Sequence, residues 1–390
     1  MRIAQHESPE ETENKGNSTL LSLFAPVSLL LLLFWGAQPA HCGELVFIGR
    51  GDKNIHVAQF DTNSGALTDL REVAQLSAPS FLAIAPNHKF LFAVSEGQEP
   101  DTSALTAFAI KPGGGLRMLN HQLTGGLGPC QVSVDAQTKC AMVANYASGS
   151  IALFPVENNG WLGPLWTFYQ YHGSSVNPER QAGPHAHAIL ADPADRFAFA
   201  CDLGLDKVFI YKIDPEARTL QANDPSSFET KPGAGPRHLA FHPNGRFAYL
   251  INEIDCTIDS LAYDAGKGAL TEIQTVRLLP DDFKGWNTAA EVAVHPSGKW
   301  VYGSNRGDNS LVVFACAPET GKLTFVERRP SGGKTPRSFE IDATGNFLLA
   351  ANQDSGAVVV FRIDPATGKL QETGQRASLP MPMCVKCMVE

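Results

Sequence analysis

Residues 235–253 read GPRHLAFHPNGRFAYLINE, and residues 257–264 follow as TIDSLAYD. The first run is a short apolar segment, a Pro-Asn-Gly reversal and a second apolar segment ending in Asn252. Pro, Asn and Gly are the residues that turn a chain tightly. The flanking runs are β-branched and aromatic, as strands require. The expected local structure is strand, tight turn, strand, loop, strand.

The same frame recurs along the chain. Pro79 leads to Phe90 and Ser95, Pro129 to Cys140 and Asn145, Ala289 to Trp300 and Asn305, and Pro336 to Phe347 and Asn352. In each, the second marker comes eleven residues after the first and the third comes five later. A copy at Pro184 is two residues longer before Phe197 and Asp202. A repeat of about fifty residues built of strands is the period of propeller blades and not of helical solenoids. A seventh unit is split. Residues 45–50 (LVFIGR), 55–61 (IHVAQFD) and 70–76 lack a first strand, and residues 381–389 (MPMCVKCMV) form a lone strand. Joined, they complete one blade. The expected fold is therefore all-β, a seven-bladed β-propeller closed by pairing of N- and C-terminal strands, which leaves no exposed sheet edge at the join.

Composition agrees. The 390 residues are 43% hydrophobic, with 35 Gly and 26 Pro, which suits many short elements joined by turns. A net charge of -9 argues against a nucleic-acid partner. Residues 20–37 are an apolar run (LLSLFAPVSLLLLLFWGA) that fits a signal-peptide core or a short membrane anchor. The expected division is residues 1–43 as signal peptide or anchor and 44–390 as propeller. The expected location is secreted or periplasmic, with membrane contact only through the N-terminal segment. The flank before the run is acidic (Glu7, Glu10, Glu11, Glu13), whereas export signals start basic, so a misplaced start would return the chain to the cytoplasm. Of eight cysteines, only Cys384 and Cys387 have CxxC spacing, with no second pair for a zinc site. Three-residue spacing on a strand points them to opposite faces. Neither metal nor cofactor is expected.

In an antiparallel blade the start of the first strand and the end of the second share one rim, and the first strand lines the central channel. Residues after each lead position and around each Asn marker therefore converge on one mouth. Most are unremarkable, such as Ser80, Cys130 and Ala290. Against them stand Arg237, His238, Arg337, Glu291, His185 and His187, with Glu96, Asn145, Asp202, Asn252, Glu253, Asn305, Arg306 and Asn352 at the second marker. Clustered arginines and carboxylates suit an anionic, polyhydroxylated ligand. Plainer roles compete. The recurring Asn caps a turn, His242 and His295 are solvent-facing turn residues, Arg337 and Glu291 form an inter-blade ion pair, and Arg237 and Glu253 pair with each other. His185 and His187 share a strand face, as metal ligands, channel-lining acid/base groups or structural donors. The long connection of residues 161–182 reads as a lid bringing His172, Arg180 and Gln181 to the mouth.

Residues 177–181 (NPERQ), 184–187 (PHAH), 235–238 (GPRH), 251–253 (INE), 289–291 (AAE), 304–307 (SNRG) and 335–337 (TPR) together resemble the lactonase-type propellers, over residues 44–390. That family includes 6-phosphogluconolactonases of the oxidative pentose phosphate route and fungal carboxymuconate cycloisomerases. The resemblance, through its cycloisomerase branch, implies a catalytic set of Glu253, Arg237, Arg306 and His185 or His187. Among the other polar residues read at the mouth, Arg180, His187, His238, Glu291, Asn305 and Arg337 are expected to bind substrate. The expected reaction is metal-free hydrolysis of a sugar-acid lactone. Glu253 or His185 takes a proton from water, and Arg237 and Arg306 hold the oxyanion or an anionic group. Cycloisomerisation of a muconate-type lactone and a non-catalytic, exported binding propeller are the alternatives. Phosphogluconolactone is a cytosolic metabolite, which sits uneasily with export.

Overall fold

The computed structural model describes residues 43–214 and 219–390. The apolar run of residues 20–37, and with it the signal-peptide or anchor expectation, lies outside the described residues. Within these bounds the strands form seven four-stranded antiparallel sheets, each following chain order except one. The exception places Pro382–Val389 beside Gly43–Arg50, then Lys53–Asp61 and Leu67–Ser77. Register runs from Glu44↔Val389 to Gly49↔Cys384, so the two termini share one blade as the split repeat requires. The Arg50 Nε donor reaches the Pro380 carbonyl at 2.8 Å and ties down the approach to the closing strand.

The blades are held face to face by apolar clusters that each span two neighbours. Phe247, Tyr249 and Ile258 of one blade pack with Val301, Val312 and Phe314 of the next. Each such aromatic or aliphatic side chain taken from water contributes about 1.5–3 kcal/mol. Cys384 joins the cluster on one face of the closing blade, and Cys387 packs against the cluster on the other. Seven cysteines are described, and all are free thiols.

The Pro-Asn-Gly turn sits between Pro236–Phe241 and Phe247–Asn252, with Gly245 at φ 68° as the reversal demands. His242 and His295 do not face solvent, contrary to the sequence expectation. They are 5% and 8% exposed, and their Nε2 atoms bond the Gly298 and Gly345 carbonyls at 2.8 Å. The turns of successive blades lie against one another, so each histidine braces the next blade's turn. A Cβ at Gly298 would come within 2.6 Å of the His242 ring, so that contact needs glycine.

The innermost strands carry a β-bulge that decides what faces the channel. Pro236 pairs with Asn252 but His238 pairs with Ile251, leaving Arg237 as the extra residue. The same shift falls between Pro129 and Gln131, Ala186 and Ala188, and Pro336 and Ser338. Ala186 pairs with Asp202 as Pro236 pairs with Asn252. His187 therefore takes the place of Arg237, and His185 lies before the strand. The two extra residues of this repeat are resolved in favour of His187.

Candidate active site

At one mouth of the channel lies a cavity of about 220 Å³ lined by Glu96, Cys130, Tyr146, Arg180, His187, Glu253, Arg306 and Arg337. Two sets of frames supply most of it. Cys130, His187 and Arg337 occupy the bulge position. Glu96, Tyr146, Glu253 and Arg306 each follow the residue that ends a second strand, namely Ser95, Asn145, Asn252 and Asn305. Arg180 alone comes from a long loop.

Glu253 is the hub. Arg180 Nη2 donates to its Oε1 at 2.6 Å, while Arg237 Nε and Arg306 Nη2 reach its Oε2 at 3.0 and 2.7 Å. Burial alone would raise this carboxyl's pKa, but the charges of Arg306 and Arg237 and the Arg180 hydrogen bond outweigh it and bring it down to about 2. Arg237 is 2% exposed beneath the cavity and also donates from Nη1 to the Ala290 carbonyl. Burial, and then the charge of Arg306, lower its pKa to about 10, which leaves it protonated at neutral pH. The expectation that Arg237 and Glu253 pair is met, and the same contacts revise Glu253's role. A carboxylate whose lone pairs serve three guanidinium groups is a weak proton acceptor.

His187, Cys130 and Tyr146 are neutral. Burial foremost, then the Arg237 charge, holds the His187 imidazole well below its usual pKa. Its Nδ1 lies 3.9 Å from Cys130 Sγ, which suggests a thiol–imidazole nucleophile. Burial pushes the Cys130 thiol far up, however, so no thiolate forms and the pair is inert. Burial likewise raises the Tyr146 phenol.

Two donors have no partner among the described residues. Arg306 Nε is buried with no hydrogen-bond partner, and the Arg337 guanidinium forms no hydrogen bond or ion pair with a described residue. With Arg180, Arg237, Arg306 and Arg337 set against Glu96 and Glu253, four minus two leaves about two positive charges in a chain of net -9. Among the described residues, no group of three or more His, Cys, Asp or Glu side chains could hold a metal ion.

Several expected site residues stand elsewhere. Asn305 is fully buried and bonded to Asn287 and Ser310, because the second-strand Asn braces the next loop and points away from the mouth. Asn145 and Asn252 do the same towards Ser150 and Thr257. His185 does not line the cavity; it stacks on Tyr146 at 4.6 Å and bonds the Tyr146 carbonyl. Glu291 pairs with His238 at 2.8 Å, so the expected Arg337–Glu291 pair does not form. Both His238 and Glu291 line a second cavity of about 400 Å³, together with Glu340 and Lys386. Of the loop residues, only Arg180 reaches the mouth: His172 is exposed, and Gln181 is buried against the Leu203 carbonyl. Tyr146 escaped the sequence reading as a mouth residue, and Cys130 was placed at the mouth only as an unremarkable one. Tyr146 shares the frame of Glu253, and that frame was the available signal.

The family model "Lactonase, 7-bladed beta-propeller" matches residues 45–387. The 6-phosphogluconolactonase of Bacillus subtilis is 37% identical over 339 residues, covering 86% of this chain and 95% of the relative. That of Formosa agariphila is 34% identical over 293 residues, covering 74% and 82%. The solved periplasmic gluconolactonase of Pseudomonas aeruginosa superposes with a TM-score of 0.85 at 36% identity, over 89% of this chain and 99% of that one. On the strength of that match and these relatives, the chain belongs to the lactonase family of seven-bladed β-propellers.

Proposed function

We propose that the chain hydrolyses a sugar-acid lactone to the open acid. The observation that carries this reading is the arginine-lined mouth, in which Glu253 fixes three guanidinium groups while the Arg337 guanidinium, without a partner among the described residues, stays open to a ligand. Hydrolysis of a lactone passes through a tetrahedral oxyanion, and fixed cationic donors at the developing charge are its main source of stabilisation. Arg337 and Arg306 are suited to that charge. Arg180 and the net positive mouth favour an anionic or polyhydroxylated substrate. Glu253 holds the arginines in place, and Arg237 supports it from beneath. The names of the relatives, 6-phosphogluconolactonase and gluconolactonase, point to the same reaction. No catalytic step requires a cofactor. The apolar run of residues 20–37 is proposed to direct export, consistent with the periplasmic neighbour.

The test is a pH-stat assay of purified protein on glucono-1,5-lactone, its 6-phosphate and muconolactone, with spontaneous hydrolysis subtracted. Catalysed opening of either gluconolactone supports the reading. Turnover of muconolactone alone would assign isomerase chemistry, and no turnover of any would leave a binding propeller.

A further inference from the structure

Lactone hydrolysis needs a group that accepts the proton of the attacking water, and Glu253 is poorly placed to be that group. Both its oxygens are occupied by arginine donors at 2.6–3.0 Å. His187, Cys130 and Tyr146 offer no better acceptor, for the reasons given above. One further ionisable oxygen group lines the cavity. Glu96 follows Ser95 as Glu253 follows Asn252, at the same frame of a different blade. Its carboxylate forms no hydrogen bond or ion pair with a described residue. Its backbone is nevertheless fixed: Glu96 N donates to the Ala78 carbonyl at 3.0 Å, and the Gly97 carbonyl accepts from Gly128 N and Ser103 Oγ, both at 2.8 Å. Glu96 lines the same small cavity as Cys130 and Arg337.

We infer that Glu96 is the general base of this site, the unshared carboxylate facing the open Arg337 guanidinium across one small cavity. The assignment rests on the hydrolase reading above. Glu96 takes a proton from water as the water oxygen bonds to the lactone carbonyl carbon, and the carbonyl π pair moves onto the oxygen held by Arg337. When the tetrahedral species collapses, the ring C–O bond breaks and the leaving alkoxide recovers the proton from Glu96. The product is the hydroxy acid, which then loses its carboxyl proton to solvent. Two carboxylates at one frame thus divide the work: Glu253 organises cations and Glu96 moves a proton.

Glu96→Gln and Glu96→Ala in the full chain test this on glucono-1,5-lactone and its 6-phosphate. The expected result is a fall in kcat of about 10² to 10⁴ with KM little changed and an unaltered melting temperature. Added formate should restore part of the activity of Glu96→Ala. Wild-type kcat in Glu96→Gln, or a rise in KM alone, overturns the assignment while leaving the hydrolase reading standing. A wild type that opens neither lactone overturns the hydrolase reading itself, and the assignment with it.

Discussion

Glu253 Oε2 lies 2.7 Å from Arg306 Nη2, although the two residues belong to neighbouring blades, and both side chains are almost fully enclosed at 4% and 12% exposure. Removing the carboxylate charge would leave three guanidinium groups facing one another. Glu253→Gln should therefore destabilise the fold by about 3–5 kcal/mol at pH 7. Urea unfolding measures this.

The same carboxylate sets an acid limb of stability. Its pKa is lowered on folding from 4.5 to about 2, so the unfolded chain binds the proton more readily between those values. The stability it contributes is complete above about pH 4.5 and is lost as pH falls towards 2. Glu253→Gln should remove that part of the slope, as unfolding at pH 5 and pH 3 would reveal.

Glu44 in the closing blade behaves oppositely. It is 2% exposed, accepts from Ala343 N at 3.0 Å and leaves Oε2 without a partner. Burial is the chief cause of its pKa rising from 4.5 to about 7. The folded chain then holds a proton the unfolded chain releases, so stability should fall as pH rises from about 4.5 to 7, by about 3 kcal/mol. Glu44→Gln keeps the shape without the titration and should flatten that decline.

Arg337 lines the mouth with no partner to lose. Arg337→Ala should leave the melting temperature within a degree or two of wild type while lowering kcat/KM about a hundredfold. Chelation by EDTA should change neither quantity, because four arginines repel a divalent cation from the mouth. Steady-state kinetics with and without EDTA check both statements.

The closing strand Pro382–Val389 is paired with Gly43–Arg50 along most of its length. Deleting residues 380–390 would expose a sheet edge and uncover an inter-blade cluster, and cooperative thermal unfolding should be lost. A chain beginning at Gly43 retains the whole closing blade and should unfold cooperatively.

The seven blades and their closure could be read from the sequence because both rest on local chemistry. Pro-Asn-Gly reverses the chain at residues 243–245, the marker spacing repeats, and residues 381–389 had only residues 45–50 left to complete. That Arg237 and Glu253 meet followed from two strands of one hairpin. The choice of His187 over His185 did not follow while the repeat was anchored on Pro184; eleven residues back from Phe197 stands Ala186, and its pairing with Asp202 puts His187 at the frame of Arg237. Nor could the sequence tell that Asn305 turns inward to Asn287, or that His242 braces Gly298 of the next blade. Glu96 and Glu253 sit at equivalent frames and look alike in the chain. What separates them is that Arg180 and Arg306 arrive from other blades at Glu253 and at no oxygen of Glu96. Local propensity and periodicity determined the strands and the ring; the partners of each charge, and hence its chemistry, were decided only when distant blades were brought together around one channel.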